Sequence, residues 1–558
     1  MTVPRSEYPR PDFRREHWLC LNGQWDFSIG ESTFDKTITV PYACEAPLSG
    51  IGDKGFHKTV WYRRTFTLPE EMVGKRILLH FGAVDYICDV WINGQHVCSH
   101  TGGQVGFEAD ITEALLDGEN TIQVKAFDDY ADPSMPRGKQ YWELESKGMY
   151  YSRTTGIWQT VWLEAVDPLH LVRCHITPQF DDRAVEFEYQ LSQNAKAISF
   201  DIFFRGEKVA ERTTAYDQRK PNTTVSLSQV WKDDMAWSPE NPSLFDVRIR
   251  LWSEQGVTDV VDTYFGMRKV SIENGKFMLN NREYYQKLVL DQGYWEESLM
   301  TAPTDEAFIR DIQLTKAMGF NGVRKHQKVE DPRYLYHADR MGLLVWGEIG
   351  SAYIYSKEYV SRIHSEWIEA VARDYNHPCI VVWTPMNESW GVGNVKTDKA
   401  QQAHCNAMML TTKALDPTRV VIDNDGWEHT CGDLVTLHDY TQDGQQLKKQ
   451  FASLQDILAI QMKPHDKPLF ADGYGYQGQP IMLSEFGGVK NDPTDPEKFA
   501  KKYAQLTKAV QESPLICGYC YTQLTDIENE CNGLLSYRRE PKLPLETIRA
   551  INQGTWEE

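Results

Sequence analysis

From about Arg268 to the C-terminus, short apolar runs alternate with stretches of helical periodicity, and that alternation leaves few folds open. The runs are YYQKLVL, NGVRKH, LLVWGEI, IVVWTPMNE, VVIDND, LVTLHDY, IMLSEF and ICGYCYTQL, eight in all. Parallel strands need a crossover between them, which a helix usually supplies, so apolar runs followed by helical or loop sequence read as βα units. Eight such units in about 290 residues fit a C-terminal (β/α)8 TIM barrel, whose chemistry gathers at the carboxyl ends of its strands. Two of the intervening segments carry an apolar stripe at helical spacing: Tyr334, Ala338 and Met341, then Ile363, Trp367, Ala370 and Val371.

Ahead of this region the period is two. Residues 1–166 contain KRILLHFGAV, YICDVWINGQHVCSH and NTIQVKAFDD, the last with Ile122, Val124 and Ala126 on one face. Asn93-Gly94 between two such runs predicts a hairpin, because both turn positions need positive φ. This part reads as a jelly-roll-like, galactose-binding-like β-sandwich. Residues 167–266 continue with AVEFEYQLS, AISFDIFFRG, NTTVSLS and LFDVRIRLWS, the spacing of a smaller immunoglobulin-like β-sandwich. Its single cysteine, Cys174, leaves it to rely on packing without an internal disulfide. The barrel then occupies 267–558.

A net charge of −20 argues against nucleic acid and anionic membrane surfaces as partners, since both need clustered Lys and Arg. No stretch approaches the roughly 18 uninterrupted apolar residues of a spanning helix, and the N-terminus carries no apolar signal region. Eleven cysteines in a long chain suit reduced thiols, so a cytoplasmic location is expected. Cys517-Gly-Tyr-Cys520 has a redox spacing, but its apolar surroundings read as a buried strand. No phosphate-binding glycine loop, zinc-type His cluster or nucleotide fingerprint stands in the sequence; neither a cofactor nor a metal is expected.

A strand that ends in a carboxylate delivers that group to the barrel mouth on a rigid element. Glu388, closing the fourth run in WTPMNESW, and Glu485, closing the seventh in IMLSEFGG, both do so. Two carboxylates from non-adjacent strands can face each other across the pocket. Retaining glycoside hydrolysis needs such a pair about 5 to 5.5 Å apart: one attacks the anomeric carbon, and the other protonates the leaving oxygen and then activates water. The acid of such a pair is expected to have a raised pKa.

The order of motifs resembles glycoside hydrolase family 2 along nearly the whole chain: LNGQWDF around Asn22, GIWQTVWLE from Gly156, then MNESWG and SEFGG in the barrel. The resemblance implies a retaining exo-glycosidase with Glu388 as acid/base and Glu485 as nucleophile. It further implies that Asn387 contacts the sugar 2-hydroxyl and that Tyr440, in LHDY, hydrogen-bonds the nucleophile or else is a core tyrosine, with His438 of the same run a candidate substrate contact. Arg324 ends the second strand as in the family, but relatives often continue Ser-His-Tyr-Pro where this chain has Lys-His-Gln-Lys. His326 is thus a sugar contact or a structural histidine. Asp291, after the first strand, stands where the family presents His or Asp to the 3- and 4-hydroxyls, and Trp295, Trp390 and Tyr521 are ring platforms or core residues.

The β-glucuronidases of the family read the sugar carboxylate with Asn-x-Lys in the last barrel loop. Here that place holds Glu530-Cys-Asn532, an anion that would repel a uronate. A β-galactoside therefore leads, with α-L-arabinofuranoside or β-galactofuranoside next, then β-glucuronide and β-mannoside. A non-catalytic carbohydrate-binding protein is the alternative from another class. Family members are commonly dimers or tetramers, so the resemblance carries a homo-oligomer as an expectation.

Overall fold

A computed structural model of the chain describes residues 3–462, 466–489 and 495–557. The first unit is a β-sandwich in which a six-stranded antiparallel sheet faces a four-stranded one. Along Glu119–Phe127 every second residue is buried, with Asn120, Ile122, Val124 and Ala126 inward, as the period-two pattern requires. Asn93 and Gly94 join Ile87–Ile92 to Gln95–Thr101 with φ of 51° and 80°, the twist-compatible hairpin turn. The second unit packs a three-stranded sheet on a four-stranded one around Phe187, Phe200, Phe245 and Phe265. Its Cys174 is a buried free thiol.

The third unit is a TIM barrel of eight parallel strands. They are β1 (Gln286–Asp291), β2 (Gly322–Lys325), β3 (Leu344–Glu348), β4 (Ile380–Thr384), β5 (Val420–Val421), β6 (Val435–Asp439), β7 (Ile481–Gly487) and β8 (Ile516–Thr522). Their order around the sheet is 5-4-3-2-1-8-7-6, with the seam between β5 and β6, where the connection contains no helix. Every apolar run anticipated as a strand supplies one. The helices Pro332–Met341 and Lys357–Asp374 bury Tyr334 and Ala338, and Ile363, Trp367, Ala370 and Val371, against the barrel. Asp331 and Ser356 cap their first turns by accepting from Arg333 and Tyr359 backbone N–H groups. No described helix is long and apolar enough to cross a membrane.

The N-terminal segment ties the units together. Arg15 pairs with Glu164 of the first sandwich at 2.9 Å and Asp259 of the second at 3.0 Å, and Arg5 reaches Asp305 and Asp331 in the barrel. More important for function, the loop of the first sandwich around residues 134–152 lies on the barrel mouth. Gly138 N–H donates to Ser351 O at 3.0 Å, and the Tyr353 hydroxyl donates to the carbonyls of Gly138 (2.9 Å) and Gln140 (2.6 Å). Gly138 has φ of 61°, and a Cβ there would lie 2.3 Å from the Gln327 carbonyl oxygen. Only glycine allows that approach. Gly138→Ala is expected to cost about 1–3 kcal/mol and to lift the loop from the barrel, seen as a lower thermal midpoint together with faster proteolysis of the loop.

Candidate active site

Two strands and one strained turn bring the acidic residues together. Glu485 sits within β7, while Glu388 lies just beyond β4 in a turn where Glu388 and Ser389 both adopt left-handed backbone, φ 51° and 58°. Each such non-glycine residue costs of order 1–3 kcal/mol and persists only when its surroundings fix it. Here Glu388 N–H donates to Asp425 O at 2.9 Å, Ser389 N–H to Asn424 Oδ1 at 2.9 Å, and the Ser389 hydroxyl to Glu428 at 2.6 Å. The turn swings the Glu388 carboxylate toward β6 and β7. One oxygen of Glu388, one of Glu485 and a ring nitrogen of His438 all lie within 4.8 Å of one another.

A fully buried guanidinium holds the floor of the site. Arg324, at the end of β2, meets Glu348 of β3 at 2.9 Å, Asp425 at 2.5 Å and Glu485 at 2.8 Å, and donates to Asn387 Oδ1 at 2.6 Å. The Tyr440 hydroxyl donates to the other oxygen of Glu485, so both oxygens of that carboxylate are fixed by donors. Asn387 is left with its Nδ2 buried and unpartnered. An orphan buried amide costs about 1–3 kcal/mol, which a ligand hydroxyl would recover.

His438 sits between two carboxylates, its Nδ1 2.7 Å from Glu388 and its Nε2 2.8 Å from Asp425. Both nitrogens therefore carry protons. Burial opposes the charge, but Glu485 and Asp425 together with the hydrogen bonds overcome it and raise the imidazolium pKa to about 10. Burial likewise pushes the Glu388 carboxyl up, yet the His438 hydrogen bond and charge outweigh it, and its pKa falls below the ordinary carboxylate value. The raised pKa expected of an acid is thus absent from the free protein. The proton it would need rests one hydrogen bond away on His438. Asp425, with burial overcome by Arg324 and His438, is held far below the usual range.

The matches to known proteins follow the domain order. The sugar binding domain of glycosyl hydrolases family 2 matches residues 31–163, the "Glycosyl hydrolases family 2" model residues 169–268, and that family's TIM barrel domain residues 270–549. The chain belongs to glycosyl hydrolases family 2. Among its relatives, this family 2 chain is 27% identical over 66% of its length to a β-galactosidase of Thermoanaerobacter pseudethanolicus, of which it spans 50%. It is 24% identical over 89% of its length to the β-glucuronidase of Canis lupus familiaris, covering 82% of that protein. Among solved structures, the β-D-glucuronidase of Dictyoglomus thermophilum superposes with a TM-score of 0.80 at 19% identity, covering 99% of this chain and 100% of that one, a likeness of fold.

Against this family 2 frame, Glu388, Glu485, Asn387, Arg324, His438 and Tyr440 stand in one hydrogen-bonded cluster. His326 is buried beside them, its Nδ1 3.0 Å from both Arg324 and Glu348. Burial, then the charges of Lys139 and Arg324, push its pKa well down, so it is neutral. Trp390 lines the rim with Tyr150 and Tyr353, ring centroids 5.7 and 5.8 Å away. Three residues lie elsewhere. Asp291 is bound by Lys325 at 2.6 Å and Gly293 N–H at 2.9 Å, with 2% of it exposed. Tyr521 packs within the barrel against Phe486 and Tyr503, and Trp295 packs on Phe308.

Glu348, Asp425, Tyr150, Tyr353 and Lys139 belong to the same neighbourhood without having been singled out from the sequence. Glu348 and Asp425 close strand runs as Glu388 and Glu485 do, in LLVWGEI and VVIDND, and that shared signal could have found them. Nothing local marks Tyr150 or Lys139, which arrive from the sandwich.

Two consequences are measurable. Arg324→Met removes a cation shared by three buried carboxylates and is expected to destabilise by about 3–5 kcal/mol in denaturant titrations, with Arg324→Lys failing to restore the fork. His438, raised from 6.5 to about 10, adds stability that is fully present below pH 6.5 and fades as pH climbs through 10. The stability gap between wild type and His438→Gln should therefore narrow from pH 6.5 to 10; a gap constant over that window would show His438 to be neutral.

Proposed function

We propose that the chain is a retaining exo-glycosidase removing the terminal non-reducing sugar of a glycoside, with Glu485 as nucleophile and Glu388 as acid/base. The observation that supports it best is the approach of the two carboxylates to within 4.8 Å around one shared imidazolium. In the first step a Glu485 oxygen bonds to C1, the C1–O bond to the aglycone breaks, and the leaving oxygen takes a proton through Glu388. In the second, Glu388 removes a proton from water, whose oxygen bonds to C1 as the Glu485 ester bond breaks. Asn387 Nδ2 has the free donor that a sugar hydroxyl next to C1 would use.

Glu388 and His438 titrate as a pair. The form with one proton on His438 and the form with that proton on Glu388 differ only by its movement along one hydrogen bond, so acid catalysis persists until the pair loses its last proton. The alkaline limb of kcat/KM should thus move to lower pH in His438→Gln, where Glu388 has no neighbour to supply the proton.

For the sugar we propose a β-galactoside. Glu530 accepts from the Tyr151 hydroxyl and from Asn532 Nδ2 at 3.3 Å, a carboxyl group at the loop where the family's glucuronidases carry Asn-x-Lys. A β-glucuronide is the second reading, favoured by the many relatives that bear that name. A panel of nitrophenyl glycosides decides between them, and hydrolysis of the uronide alone would reverse the order. Glu485→Gln should abolish turnover. Glu388→Ala should slow poorly activated glycosides by about 10²–10⁴ and regain rate with azide on activated ones. If NMR shows the first-formed sugar with inverted configuration, the double displacement is wrong.

A further inference from the structure

Lys139 comes from the sandwich yet stands beside Trp390 at the candidate active site. Its residue is 6% exposed, and its Nζ lies 5.6 Å from the centroid of Trp390, two positions after Glu388. Among the described residues no carboxylate pairs with this ammonium and no acceptor takes a hydrogen bond from it, although its charge is felt by both His326 and Glu388. Nearly every other buried cation of the barrel is treated differently: Lys325 holds Asp291 and Glu330, and Lys328 holds Glu330 and two backbone carbonyls. The stem is largely enclosed, and the ammonium has three N–H donors to offer a ligand oxygen.

The backbone around Lys139 is clamped. Gly138 abuts the carbonyl of Gln327, the residue after His326, so closely that a Cβ would collide. Tyr353 holds the carbonyls on either side of Lys139, at Gly138 and Gln140, and Tyr151 N–H donates to the carbonyl of Lys139 itself at 2.9 Å. The flexible lysine stem thus starts from a fixed point above β2 and ends by Trp390. Asn387 Nδ2 is a second unpartnered donor of the same neighbourhood, one residue before Glu388.

We propose that Lys139 is a substrate-contact residue through which the N-terminal sandwich completes the terminal-sugar subsite. Its ammonium donates to hydroxyl oxygens of the sugar on the side facing His326 and Asn387, adjacent to C1 or one carbon further. The substrate class is a sugar with free vicinal hydroxyls at those positions. This rests on the glycosidase reading above, and it makes the sandwich part of the active site.

The test is Lys139→Met, which keeps the stem and removes the donor, assayed on the nitrophenyl glycoside that the wild type hydrolyses best and on its 2-deoxy and 3-deoxy analogues. kcat/KM on the parent should fall at least 30-fold, and on one of the deoxy analogues less than threefold, because the contact is already missing there. Lys139→Arg should recover part of the loss. An equal loss on all three substrates with a displaced pH profile would mean that Lys139 acts only through Glu388 and would overturn the proposal, as would an unchanged kcat/KM. An unchanged thermal midpoint in Lys139→Met separates either result from misfolding. Should no glycoside be turned over, titration of wild type and Lys139→Met with free monosaccharides replaces the kinetics: binding lost in the variant sustains the contact while the hydrolysis reading fails, and equal binding removes the contact.

Discussion

The site is organised around one buried cation. Arg324 is fully enclosed, and a guanidinium without water must be surrounded by anions or acceptors. It finds them on β3 at Glu348, beyond β5 at Asp425 and on β7 at Glu485, with Asn387 as a neutral fourth. The planar fork dictates where those groups can stand, so the position of Glu485 follows from a residue outside its strand, and Glu388 is reached only through its neighbour Asn387. His438 works as a second cation one layer higher, shared between Asp425 and Glu388. Two positive charges thus order four carboxylates, and the low pKa of Asp425 is their joint result.

Such an arrangement explains why Glu388 tolerates left-handed backbone. A carboxylate arriving straight from β4 would point along the strand. The turn through Glu388 and Ser389, fastened by Asn424, Asp425 and Glu428 from the segment after β5, redirects it toward His438. The strain is local, and the groups that offset it come from the β5–β6 connection, the one place where the barrel has no helix. That connection gives up regular structure to supply Asn424, Asp425, Trp427 and Glu428 instead. Strain of this kind concentrates where function fixes geometry.

The sandwich contributes more than bulk. Glycine at 138 lets its loop approach the barrel backbone, Gln104 accepts from Val329 N–H at 2.9 Å, and Tyr151 and Ser152 engage Glu530 and Glu528 of the last barrel loop. Tyr150 and Lys139 then stand over the pocket beside Trp390 and Tyr353. A barrel of this fold builds its mouth from βα loops; here a loop of another domain packs against it.

Sequence alone determined the layers and marked two strand-end glutamates as candidates. Hydrophobic period changes from two to helical where sandwiches give way to barrel, and periodicity is a local property that tertiary contacts rarely override over such lengths. Glu388 and Glu485 were legible because each ends an apolar run. Glu348 and Asp425 carried the same mark, but a carboxylate at a strand end does not announce whether it faces substrate or a buried arginine. Asp291 and Tyr521 show the limit from the other side: the first is taken up by Lys325, a partner 34 positions away, and the second by rings of β7 and the following helix. Which charges pair, which proton sits on His438 and which loop reaches Glu388 depend on distances between segments far apart in the chain, and only the folded structure decides those.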